Sequence, residues 1–278
     1  MRHNISLHFA ALADCKKRSI VALSAASLMA ISPASRAGTT LLSDGFNGPS
    51  VNPHLWHIPK WCAACGTFVG RTQFRVSQSS PLPPIYYGTV ILNQQTYNPT
   101  GFSFYAYELI SNQQFPRGTG LDIVFHSTMT TPLNCGVVTG LFLYALKPGS
   151  NTYHDEIDFE LVTNYPKQVE TNIYADEMLG VGNPALVNLP SGSVSTWHIY
   201  EIRWTPTMVS WLVDGTVVRS TTQNIPTGPM NVYMNTWAPT EQGWQQAYCA
   251  AVQPTSSPAE NKVVDNLVTD YVTVTTLP

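Results

Sequence analysis

The sequence predicts an all-β domain, a sandwich or barrel of short antiparallel strands, on three observations. From Gly38 onward there is almost no helical periodicity. Short runs of β-branched and aromatic residues take its place, broken by Pro, Gly and Asn. One local turn is explicit: Asp214-Gly215, flanked by apolar runs, reads as a tight hairpin because both residues accept positive φ. Many short strands at regular spacing are the pattern of a sandwich or barrel.

The predicted strands cover 85–92, 102–110, 121–125, 137–144, 170–174, 197–204 and 267–274. Trp204 and Trp211 alternate with polar residues on well-formed strands, so both are expected in the core. Neither Pro81-Leu-Pro-Pro84 nor the stretch 254–258 has linker composition, and no repeat occurs. One domain over 38–278 is therefore expected, of a size usual for a two-sheet jelly roll. Its core is large enough to fold without help from disulfides.

Charged residues make up 11% of the 278, and the formal net charge is −3. No Lys/Arg stripe exists to neutralise a phosphate backbone, which excludes nucleic acid as a partner class. Residues 1–37 read as an export signal. Lys16-Lys-Arg18 forms a basic block, 19–31 an uncharged apolar stretch, and Ser35 and Ala37 supply small side chains before Gly38. That stretch is too short to span a bilayer, so no membrane association is expected after cleavage. A mitochondrial-type presequence is the competing reading. Export implies a secreted, extracellular or periplasmic protein, taken as a monomer.

Cys15 leaves with the signal, and Cys62, Cys65, Cys135 and Cys249 remain. An even number in an exported chain points to disulfides, with three pairings possible. Cys62-Ala-Ala-Cys65 as half a zinc site lacks a second ligand pair, and as a redox pair it lacks a βαβ setting.

The most informative segment is Tyr153-His-Asp-Glu-Ile-Asp-Phe-Glu-Leu161. Read with a period of two, Ile157, Phe159 and Leu161 face a core, and His154, Glu156, Asp158 and Glu160 face the other way. The chain is poor in charge, yet Asp155, Glu156, Asp158 and Glu160 fall within 155–160. Like charges in a row repel, which costs stability. A solvated acidic face does not require so regular an apolar partner face, and Ca²⁺ sites usually draw ligands from irregular loops. Glycosidic hydrolysis does need such a group: one ionised carboxylate at the anomeric carbon, and one protonated carboxyl for the leaving oxygen. Asp158 between them can keep one neighbour protonated while the other stays ionised.

His154-Asp-Glu-Ile-Asp-Phe-Glu160 resembles the E-x-D-x-E motif of glycoside hydrolase family 16. Gly140-Leu-Phe-Leu-Tyr144, Glu170-Thr-Asn-Ile-Tyr174, 197–204, Val213-Asp-Gly215, Asn231-Val-Tyr-Met-Asn-Thr-Trp237 and Asp270-Tyr-Val-Thr-Val274 are similar, in order, to the family's successive strands. The resemblance implies a concanavalin-like jelly roll of two antiparallel sheets with a concave cleft. It implies retaining chemistry, with Glu156 as nucleophile, Glu160 as acid/base and Asp158 as their support. No cofactor is required. The two-and-two spacing of the acids permits a regular strand and resembles the lichenase and xyloglucan branches rather than those with an extra residue. Mixed-linkage β-1,3-1,4-glucan is the expected substrate. Xyloglucan hydrolysis or transglycosylation is the alternative on the same site, and a lectin-like module the alternative of another class. Such a module would be expected to lack one of the two Glu residues.

Sugar rings pair apolar faces with a rim of hydroxyls, so exposed aromatics beside amides are wanted. Asn172 with Tyr174 and Asn235 with Trp237 have that pairing at i and i+2 on segments similar to cleft strands. Phe142, Tyr144, Trp244 and His154 complete the expected substrate contacts. Asp270 matches a position at which some relatives hold a structural calcium.

Overall fold

The computed structural model describes residues 38–59, 71–74, 83–98, 104–130, 135–178 and 182–278. The expected signal over 1–37 and the pair Cys62 and Cys65 lie outside them. The early strands are β1 (Thr40–Asp44), β2 (Trp56–His57), β3 (Thr72–Phe74), β4 (Ile85–Tyr86), β5 (Thr89–Gln95), β6 (Phe104–Ala106) and β7 (Glu108–Ser111). The centre contains β8 (Leu121–Thr130), β9 (Val138–Leu146), β10 (Tyr153–Val162), β11 (Gln168–Met178) and β12 (Ala185–Asn188). The late strands are β13 (His198–Trp204), β14 (Val209–Val213), β15 (Thr216–Thr221), β16 (Asn231–Trp237) and β17 (Val263–Thr276).

These strands form two sheets. Ten belong to one, ordered β15-β14-β13-β8-β17-β5-β6-β3 with β1 on β17 and β4 on β5. Seven belong to the other, ordered β12-β11-β10-β9-β16-β7-β2. Pairing is antiparallel except between β3 and β6. Asp214 and Gly215 take φ of 50° and 76°, as a two-residue hairpin with right-twisted strands requires.

Two predicted runs are divided. The 85–92 run turns at Tyr87-Gly88, both at positive φ, into the β4–β5 hairpin. The 102–110 run changes sheets at Tyr107, so β6 and β7 lie in opposite layers. A continuous apolar stretch does not reveal which layer each half joins, because both layers are wanted by the same core.

The core lies between the sheets. Ile157 and Phe159 of β10 meet Tyr200, Trp204 and Trp211 of the larger sheet, all fully buried. Phe159 packs edge-on against Tyr200 with ring centroids 5.4 Å apart. Polar ties cross between the layers near the acid-bearing strands. The Trp211 indole N–H donates to the Asp158 carbonyl at 2.8 Å, and Arg219 Nη1 donates to the Thr171 hydroxyl at 2.9 Å and to its carbonyl. Of the three possible pairings, the chain makes Cys135–Cys249, a bridge spanning 114 residues.

Candidate active site

Strand β10 builds the site from its alternation. Ile157, Phe159 and Leu161 are fully buried on the core side, and His154, Glu156, Asp158 and Glu160 project from the opposite face. From 156 to 160 the strand pairs without a register shift with both β9 and β11, the regularity expected from the acid spacing. The irregularity next to it belongs to β11. His154 pairs with Glu177 but Glu156 pairs with Tyr174, so β11 carries the extra residue. Asp176 there has φ 55°, and its N–H donates to Asp155 Oδ1 at 2.8 Å. Asp155 Oδ2 also meets Lys147 Nζ at 2.7 Å. Asp155 therefore anchors the bulge and stays out of the row.

Directly opposed residues of antiparallel strands share a face. The registers thus lay out a lattice on the acid-bearing face. Glu160 lies between Glu170 and Gly140, and beyond Gly140 stand Asn235 and then Glu108. Asp158 lies between Asn172 and Phe142, with Tyr233 beyond. Glu156 lies between Tyr174 and Tyr144, with Asn231 beyond. Gly140 lets Asn235 Oδ1 and the Phe142 ring close over the backbone beside Glu160, because a Cβ there would stand 2.9 Å from both. The aromatic rings form a connected set: Phe142 stacks on Tyr233 at 4.9 Å, Tyr233 meets Tyr144 at 5.5 Å, and His154 is flanked by Tyr144 at 5.1 Å and Tyr174 at 4.6 Å.

Three of the expected platforms are more enclosed than an open cleft implies. Trp237 shares the face but is 5% exposed. It packs with Phe74, Val138 and Val162, and Trp244 covers it at 6.1 Å. Its aromatic area is committed to a satellite cluster, and Trp244 is the more exposed ring. Asn172 and Tyr174 are buried beneath the chain at Gly182, where a Cβ would lie 2.5 Å from the Tyr174 ring and 2.7 Å from Asn172 Oδ1. The Asn172 amide donates to the Tyr174 hydroxyl at 3.0 Å. The expected calcium ligand Asp270 sits in the other sheet, with Oδ2 at 2.8 Å from His126 Nδ1. A nitrogen base is a poor neighbour for a hard cation, and among the described residues no third His, Cys, Asp or Glu joins the pair.

Four neighbours escaped the sequence reading. Glu170 and Tyr233 have the same parity as residues that were selected, Asn172 and Asn235, so period two could have found both. Glu108, buried and accepting from Asn235 Nδ2 at 2.9 Å, sits in an apolar run without alternation. Gly140 had no signal except its place opposite an acid.

The electrostatics follow from this crowding. Burial, and then the charges of Glu160, Glu156 and Glu170, push the Asp158 carboxyl well above the usual range, against one backbone hydrogen bond from Asn172. Burial, then Glu170 and Glu156, do the same to Glu160. Glu170 is raised by burial and eased by Arg219. Asp158 Oδ1 and Asn235 Oδ1 are buried acceptors without a protein partner, suited to hydroxyl donors. The arrangement can hold a proton on one carboxyl while another remains charged.

A stability consequence has a definite sign. These carboxyls have folded pKa values raised above their unfolded ones, so between the two the native state binds more protons. Stability is then greatest below the unfolded carboxylate range, about pH 4, and falls as pH rises through the raised values. The melting temperature is expected to fall between pH 5 and pH 8 in calorimetry, and to fall less in Asp158→Asn. Equal slopes for the two proteins would show that the acid row is not the cause.

Fold and site together define a two-sheet jelly roll that carries a row of carboxyls on one sheet face. The family model of glycosyl hydrolases family 16 matches residues 121–252. A β-glucanase of Paenibacillus polymyxa is 32% identical over 130 residues, 46% of this chain and 53% of that protein. The chain thus aligns with about half the length of such relatives. The Bacillus licheniformis β-glucanase structure superposes with TM-score 0.63 at 25% identity, covering 86% of this chain and 98% of that one. A β-1,3-1,4-glucanase (lichenase) from a mouse hindgut metagenome gives TM-score 0.66 at 23% identity over 85% and 99%, a likeness of fold.

Proposed function

We propose that this chain is a secreted, retaining endo-β-glucanase acting on mixed-linkage β-1,3-1,4-glucan. The observation that carries the reading is the unbroken strand at 156–160, which presents Glu156, Asp158 and Glu160 on one face with the last two held toward their protonated forms. Glu156 attacks the anomeric carbon as Glu160 gives its proton to the departing glycan oxygen. Glu160 then takes a proton from water, which opens the glycosyl–Glu156 ester. Retention requires the two carboxyls about 5–5.5 Å apart. Residues four apart on a strand start roughly 13 Å apart, so the reading requires both side chains to lean toward Asp158. The charge of Glu156 is among those that raise Glu160, which supports their nearness. Similar proteins are named lichenase and β-glucanase, and the spacing of the acids agrees with them. Export rests on the composition of 1–37, and a Cys135–Cys249 bridge suits an oxidising compartment.

The test is a reducing-end assay of the purified protein on mixed-linkage glucan, xyloglucan, laminarin and agar. Products are sized and the anomer formed first is read by proton NMR. Mixed-linkage glucan should yield internal-cut oligosaccharides with the β anomer first. Faster turnover of xyloglucan would transfer the assignment to that substrate. An α anomer would reject retention, and binding of glucan without cleavage would favour the lectin-like reading.

A further inference from the structure

Among the described residues His154 is the one nitrogen base in the acid lattice, and its two ring nitrogens face different partners. The ring is 1% exposed and held between Tyr144 and Tyr174. Nδ1 lies 3.0 Å from the Thr152 carbonyl, an acceptor, so Nδ1 carries a proton and donates it. Nε2 stands 3.1 Å from Glu156 Oε2. With Nδ1 protonated, a neutral ring would leave Nε2 a bare, buried acceptor 3.1 Å from a carboxylate oxygen, off the line of a hydrogen bond. A second proton turns that contact into an ion pair.

We propose that His154 is a buried imidazolium that positions the Glu156 carboxylate and holds it ionised beside three other acids. This rests on the assignment of Glu156 as nucleophile and adds what keeps it charged. The carboxyls of the row compete for one charge, and a cation beside Glu156 decides which of them carries it. Lys147 is bound to Asp155, and Arg219 reaches Thr171 and Asn183. The groups around the ring are Glu156 and Asp155 on β10, Tyr144 on β9 and Lys147 just after it, and Tyr174 and Glu177 on β11. Tyr144 and Tyr174 are pushed to higher pKa, first by burial, and stay neutral. Burial pulls the imidazole down, but Glu156, the Thr152 carbonyl and Asp155 outweigh it and leave the ring above its ordinary value. Tyr144 and Tyr174 hold the ring in place from either side, at 5.1 Å and 4.6 Å between centroids.

Two measurements test this. In His154→Gln the acid limb of the kcat/KM–pH profile should shift upward by about one to three units, as expected when a cation within contact distance is lost. Activity near pH 7 should recover by comparison with pH 5. A merely structural histidine would lower the profile without displacing that limb. Independently, ring nitrogen-15 shifts should show His154 doubly protonated at pH 7 in the full chain and less so in Glu156→Gln. An unmoved acid limb, or a neutral His154 in the wild type at pH 7, overturns the proposal. If His154→Gln does not fold, the NMR measurement decides alone. Glu156→Gln assayed for turnover tests the nucleophile separately, so failure of either claim is seen by itself.

Discussion

Glu156→Gln is expected to reduce turnover of mixed-linkage glucan by roughly 10³-fold or more, with the fold intact. The amide keeps the size and shape of the side chain and can still lie between Tyr144 and Tyr174. It cannot form the glycosyl ester, so both halves of the double displacement are lost. Stability should change little, because neutralising one member of a repelling set is offset by the loss of the partner of His154. Burial plus the charges of its neighbours already raises both Asp158 and Glu160, and Glu156 is among the charges named for each. Sites that keep like charges together give up stability for chemistry. Steady-state kinetics with calorimetry checks both halves. Near-normal turnover would reject the assignment of Glu156, and loss of the melting transition would mean that the residue supports the fold instead.

The acid row was legible because it depends on one strand alone. A period of two, an apolar partner face and a charge-poor background are all properties of consecutive residues, and the 156–160 stretch folded as they require. The neighbours of the row were legible only in part, because they come from register. Which residue opposes Glu160 depends on where β11 returns and on the bulge near Asp176, and nothing within 168–178 states that register. Glu170 was therefore passed over although its parity was correct. Enclosure was illegible for a similar reason. Trp237 has the pattern of an open platform, but Trp244 and the satellite cluster that cover it come from elsewhere in the chain. The core tryptophans were easier: a large apolar ring on a strand face has few places to go other than between the sheets.

One of those tryptophans joins the core to the chemistry. Trp211 is fully buried in the larger sheet, yet its indole N–H donates 2.8 Å across the core to the carbonyl of Asp158. The Arg219 guanidinium lies 4.7 Å from the ring centroid on the way to the Thr171 backbone. Trp211→Ala removes a large side chain and leaves a cavity, at about 3–5 kcal/mol. Of a total stability of about 5–15 kcal/mol, that is a large share, and the melting temperature should fall by about 10 °C. Trp211→Phe separates the two roles. It retains most of the packing and loses only the donor, leaving the Asp158 carbonyl without that partner at about 1–3 kcal/mol. If the tie holds the acid row in place, the phenylalanine variant loses turnover out of proportion to its melting temperature, because Asp158 moves relative to Glu156 and Glu160. If its activity simply follows its folded fraction, Trp211 is core and nothing more, and the acid strand holds its shape through its pairing with β9 and β11.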